Sequence, residues 1–136
     1  MAAWLLAAIF VALAALHFFW AVGGGSSVDG FVPTDGGRPL FTPGPIASAT
    51  VGATLLAAAL VVACREGLFC FGMPEWMARM GIWVIAALFA ARAIGDFRYA
   101  GFFKRVRGTR FAARDTWVFS PLCMLIALLA TVVGSS

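Results

Sequence analysis

Residues 2–22 read AAWLLAAIFVALAALHFFWAV. No charged side chain interrupts the run, and His17 is its one strongly polar residue. At about 1.5 Å of rise per residue, such a stretch coiled as a helix covers the roughly 30 Å of a bilayer's hydrocarbon core. Trp4 and Trp20 stand near its two ends, where amphipathic rings anchor a span at the interface. A secretory leader would begin with a basic segment and finish on small residues, but Phe18, Phe19 and Trp20 occupy that finishing position, so the block reads as a retained helix.

Working outward, three further apolar blocks follow, at about 46–64, 75–96 and 116–134. Across the 136 residues, 62% are hydrophobic and 12% charged, against roughly 25% charged in a soluble domain. The fold class expected is all-α: an integral membrane four-helix bundle in one domain, with a long loop at 23–45 and a basic, aromatic interfacial segment at 97–115. Gly23, Gly24 and Gly25 stop the first helix, and Asp29-Gly30, Asp35-Gly36-Gly37 and Pro43-Gly44-Pro45 mark turns in the long loop. Ser48, Thr50, Gly52 and Thr54 give the second helix a small-residue face suited to close packing. Pro74 suits the first turn of the third helix, which runs to about Asp96. A fourth helix starting at Pro121 would be too short to cross, so it starts near Asp115 or Thr116, and Pro121 kinks it by freeing the Trp117 carbonyl.

Net charge is +4, and the cations are concentrated. The loops after helices one and three share a membrane face and hold seven of them: Arg38, Arg98, Lys104, Arg105, Arg107, Arg110 and Arg114. Arg65 and Arg79 flank the middle loop. The positive-inside rule therefore places loops 23–45 and 97–115 in the cytoplasm and both termini on the opposite side.

Ionisable groups within spans face inward and pair. Arg92 and Asp96, spaced i and i+4, are the pair the sequence offers. His17, Trp20, Arg92, Asp96, Arg98, Lys104, Arg105 and Ser120 are expected at one end of the bundle as a one-sided polar cluster over an apolar interior. The plainer readings are a helix-end ion pair and a histidine hydrogen bond that fixes packing. One histidine builds no metal or haem site, and no Gly-rich phosphate loop stands between a strand and a helix, so neither a metal nor another cofactor is expected. Cys64, Cys70 and Cys123 form no C-x-x-C pair and read as three packed thiols, with a Cys64–Cys70 bridge as the alternative. Basic residues interleaved with aromatics between two spans suit anionic headgroups, and no nucleic-acid partner is expected.

HFFWAVGG at 17–24, VPT at 32–34, LFTPG at 40–44, RAIGDFRYAGFFKRVRGTRFAARDT at 92–116 and SPLC at 120–123 together resemble a family of small bacterial membrane proteins defined as domain of unknown function 3995. The resemblance spans nearly the whole chain. It implies four membrane helices in a bacterial inner (plasma) membrane and carries no activity.

Three functions are compatible with this pattern. The first is a binding module whose bundle holds a small amphipathic or lipid-like ligand, with the polar cluster meeting its head. The second is a membrane enzyme of the sterol-isomerase type using His17 as acid or base. The third is an accessory subunit packed on a larger membrane-protein partner. Membrane lipids are partners in each case. A channel is disfavoured because no helix carries a polar stripe across the bilayer.

Overall fold

Helix α1 (Ala2–Ala21) is followed by a two-residue hairpin, β1 (Thr34–Asp35) and β2 (Arg38–Pro39), and then by α2 (Pro45–Arg65), α3 (Glu75–Ile94), α4 (Arg110–Arg114) and α5 (Ser120–Ser135). These elements come from a computed structural model that describes residues 1–24, 30–68, 70 and 72–136. Gly25 and Asp29, read above as part of a helix stop and of a turn, lie outside the described residues. A π-helical turn, Asp115–Phe119, joins α4 to α5, so Arg110–Ser135 is one fourth span. All four helices are long and apolar enough to cross a membrane. The protein is a multi-pass membrane protein with an all-α, four-helix bundle fold.

Helix α1 packs chiefly on α2, and α3 chiefly on α5; contacts of α2 with α3 and of α1 with α5 close the bundle. Leu6, Phe10, Ile82 and Ile126 are fully buried at its centre, among Ala3, Ala14, Ala59, Ala86 and Ala130. In hydrocarbon there is little solvent drive between apolar helices, so small residues that admit close backbone approach supply the packing. Gly52 does this on α2: a Cβ there would sit 3.1 Å from the Phe18 ring of α1. Thr50 and Thr54 are exposed instead, and their hydroxyls donate back to the carbonyls of Ile46 and Thr50. Outward faces carry Leu60, Trp83, Val84, Leu88, Leu128 and Val132, all exposed from the protein and suited to acyl chains.

Several boundaries differ from the sequence reading, each for a local reason. Helix α3 ends at Ile94 because Gly95 turns the chain at φ 94°, a backbone conformation that disfavours side chains with a Cβ. The fourth span begins at Arg110, not Thr116, because Thr109 caps it: its hydroxyl accepts the Ala112 N–H at 3.0 Å. Pro121 does lack its donor, but the helix responds with the π turn just ahead, in which the Ser120 N–H bonds to the Asp115 carbonyl. The predicted turn at Asp35-Gly36-Gly37 is present, with Gly36 and Gly37 both at positive φ as a two-residue hairpin of this kind requires.

At the opposite end, Arg65 bonds the Ser136 carbonyl and lies 3.6 Å from Glu75. The cysteines are three free thiols, and Cys70 donates to the Cys64 carbonyl at 3.2 Å.

Candidate functional site

The residues expected to form one polar cluster are divided between two places and the loop after α3. Around His17 lies a cavity of about 370 Å³. Helix α1 contributes His17 and Trp20, and α2 contributes Ala47, Ser48 and Val51. The long loop supplies Gly24, Phe31, Val32, Phe41 and Pro43. The loop is thus folded over the end of the α1–α2 pair, and its apolar side chains serve as walls. Trp20 stands edge-on to His17 at 5.1 Å and to Phe31 at 5.0 Å between ring centroids. It therefore forms part of the cavity wall, beyond the interface role expected for it. The His17 Nδ1–H donates to the Leu13 carbonyl, 2.8 Å away and one turn earlier in α1.

The second place is centred on Asp115, in the π turn. Its carboxylate is fully buried. Oδ1 accepts from Arg92 Nη2 at 2.8 Å. Oδ2 accepts from the Gly101 N–H at 2.7 Å, Lys104 Nζ at 3.0 Å and Ser120 Oγ at 3.2 Å. Lys104 is almost as deeply buried, and its ammonium uses all three donors, since it also bonds the Gly101 carbonyl at 2.9 Å and Thr116 Oγ1 at 2.7 Å. A buried charge pair with this degree of satisfaction fixes α3, the 97–109 connection and the fourth span to one another.

The pairing of Arg92 with Asp96 expected from their spacing is not formed. Gly95 has already turned the chain away from the helix, so Asp96 does not occupy the next turn of α3, and Arg92 reaches across to Asp115 instead. Asp96 organises the loop that follows: its Oδ1 accepts the N–H groups of Arg98, Tyr99 and Ala100 at 2.9, 2.7 and 3.0 Å. Those bonds, that from Ala100 foremost, hold its carboxyl below the ordinary carboxylate range against the opposing effect of burial.

Arg98 and Arg105 are exposed; Arg98 lies over the Tyr99 ring at 5.0 Å, and its carbonyl accepts the Arg105 N–H. Of the residues singled out, the structure brings His17 and Trp20 together at the cavity. It brings Arg92, Lys104 and Ser120 together on Asp115, and leaves Asp96, Arg98 and Arg105 on the loop. Asp115 itself is the centre that spacing missed. The available signal was its position as the one other carboxylate within a segment dense in cations.

The two places meet through aromatic rings. Phe31 approaches Phe119 at 6.1 Å, Phe119 approaches Phe111 at 6.0 Å, and the Arg114 guanidinium lies 4.7 Å above the Phe31 ring. Gly30 fits flush against Arg114, where a Cβ would come within 2.8 Å of the guanidinium. The two loops also meet directly: Tyr99 donates its hydroxyl hydrogen to Asp35 at 3.0 Å. Beside the buried pair a shallow groove of about 410 Å³ is lined by Lys104, Arg107, Thr109, Arg110, Thr116 and the exposed Trp117, among others. Among the described residues no group of three His, Cys, Asp or Glu side chains could hold a metal ion.

No curated protein and no solved structure matches the chain. The family model described as protein of unknown function (DUF3995) matches residues 2–130, and the chain belongs to that family.

Proposed function

We propose that the protein binds a small amphipathic or lipid-like molecule in the cavity roofed by the long loop. The observation that supports this reading is the cavity itself: about 370 Å³, walled by Trp20, Phe31, Val32, Phe41, Pro43 and Val51, with His17, Ser48 and the indole of Trp20 as the lining side chains that carry polar groups. Small-molecule sites share this pattern of apolar walls and few polar groups, in volumes of roughly 300–1,000 Å³. A volume near the lower limit suits a single chain or a compact ring system. Arg92, Lys104 and Ser120 act at one remove, by holding the fourth span and the loop contacts in place.

The protein lies in the plasma membrane of a bacterium with loops 23–45 and 97–115 on the cytoplasmic side. The cation excess of those loops supports that orientation. Lipids surround the outward apolar faces, and the Arg107, Arg110 and Trp117 groove meets headgroups at the interface.

The test is native mass spectrometry of the protein purified under mild conditions, compared with Ala47→Trp, which adds a bulky ring to the cavity wall. A defined adduct in the wild type that the variant loses supports the reading. An adduct retained by Ala47→Trp, or no adduct in the wild type after exposure to amphiphiles, overturns it.

A further inference from the structure

We infer that the cavity selects an uncharged ligand carrying a hydroxyl group, an alcohol of a single aliphatic chain or compact ring system, which donates its hydrogen to His17 Nε2. The inference rests on the proposed ligand-binding reading and names the chemistry of that ligand.

The histidine hydrogen bond decides which ring nitrogen is available. The Leu13 carbonyl can only accept, so the nitrogen 2.8 Å from it, Nδ1, carries the hydrogen. In the neutral ring Nε2 then carries a lone pair and no hydrogen. Nε2 is at the far end of the ring from the backbone, and it has no hydrogen-bond partner among the described residues. Because His17 lines the cavity, its Nε2 is the acceptor we assign to a ligand there, backed by a donor already in use. Fixing one ring nitrogen to set the role of the other is how histidine is commonly oriented in functional sites.

Charge argues for a neutral ligand. Among the described residues that line the cavity there is no Arg, Lys, Asp or Glu. Arg92 and Lys104 are engaged by Asp115, and Arg114 lies against the Phe31 ring. Among the described lining residues, a carboxylate or phosphate entering the cavity would surrender its hydration without gaining a fixed counter-charge, and an ammonium would find no carboxylate. An alcohol avoids both costs: its hydroxyl hydrogen goes to Nε2, the Ser48 hydroxyl and the Trp20 indole N–H are the other polar side-chain groups of the lining, and its chain lies on the aromatic walls. A carboxylate paired with a protonated His17 is the competing arrangement, and the experiment separates the two.

The full chain in lipid nanodiscs would be titrated with decane, decanol, decanoate and decylammonium. Bound probe would be read by native mass spectrometry and referenced to partitioning into protein-free discs. Decanol is expected to bind about tenfold more tightly than decane, the value of one net hydrogen bond of ~1–1.5 kcal/mol, and more tightly than either ion. His17→Phe should abolish the preference of decanol over decane. A second readout uses the wild type alone: the chain has one histidine, so nitrogen NMR of the imidazole reports a single residue, and the Nε2 resonance should shift with decanol and stay in place with decane. Decanoate or decylammonium binding as tightly as decanol overturns the inference, as does a decanol preference that survives His17→Phe or a stationary Nε2 resonance. If decane and decanol both bind without discrimination, the inference fails and the cavity-binding reading stands. If no probe binds above the protein-free background, both fail.

Discussion

Replacing Asp115 with Asn changes one atom and removes the only carboxylate that Lys104 contacts among the described residues. The wild-type carboxylate takes four donors: Arg92 Nη2 on Oδ1, and the Gly101 N–H, Lys104 Nζ and Ser120 Oγ on Oδ2. An amide has one acceptor oxygen, so in either orientation its NH2 group faces a nitrogen donor. Lys104 retains the Gly101 carbonyl and Thr116 Oγ1 but loses its counter-charge at a position where its side chain is 2% exposed. Breaking a buried pair by removing one partner costs about 3–5 kcal/mol, roughly two to four orders of magnitude in the folding equilibrium. Lys104→Met should cost less, because Asp115 keeps Arg92, the Gly101 N–H and Ser120. Arg92→Met should cost least, about 1 kcal/mol, because that side chain is 38% exposed and partly screened. Combining Asp115→Asn with Lys104→Met should recover part of the single-variant loss, a coupling of about 0.5–3 kcal/mol. Equilibrium unfolding in mixed micelles of rising dodecyl sulfate content, followed by tryptophan fluorescence, measures all four. An Asp115→Asn variant within about 0.5 kcal/mol of wild type, or one less damaged than Arg92→Met, would refute the assignment of Asp115 as the structural centre.

Two further outcomes follow from the loop after α3. Gly101, at φ 88°, abuts Gly95, and a Cβ there would overlap the Ile94 and Gly95 backbone; Gly108, at φ 89°, faces open space. Gly108→Ala should therefore cost about the 1–2 kcal/mol of a left-handed residue, and Gly101→Ala distinctly more, in the same unfolding assay; equal losses would contradict the close crossing. Asp96 sets a pH dependence of defined sign. Its folded-state pKa is lowered, so its contribution to holding the 96–100 turn is fully present at neutral pH and is lost as pH falls through that lowered value. The Ala100 amide resonance should titrate in that acid range, below where a free aspartate titrates, and Asp96→Asn should remove the transition.

The four spans were legible in the sequence because uninterrupted apolar runs of bilayer length have few alternative fates. The site was legible only in part, and each failure has a local cause. The i, i+4 rule that paired Arg92 with Asp96 assumes that the helix continues, and a single glycine at 95 removes that assumption. The start of the fourth span was hidden by Arg110 and Arg114, which read as extramembrane although long cationic side chains let a helix begin at the interface while their heads remain in a polar layer. Pro121 correctly marked an irregularity, but whether a helix answers with a kink or a π turn depends on what the neighbouring side chains gain. His17 and Trp20 were found by position along α1. Phe31, Val32, Phe41 and Pro43 were not found as cavity walls, because which face of a long loop turns inward is decided by tertiary packing that no periodicity encodes.

The π turn shows what those neighbouring side chains gain. In a regular α-helix, at about 3.6 residues per turn, positions 115 and 120 point in different directions. The wider turn aligns them, so that Ser120 Oγ reaches Asp115 Oδ2, and both residues are fully buried. The same stretch directs Phe119 to within 6.1 Å of Phe31 in the cavity wall, while Arg114, immediately before the turn, stacks on the other partner of that contact. A straight helix would point Ser120 away from Asp115. The turn couples the buried Asp115–Lys104 pair, which fixes the fourth span against α3, to the ring that the long loop contributes beside His17. The irregularity in the last helix is therefore best understood as the joint between the framework of the bundle and the roof of its cavity.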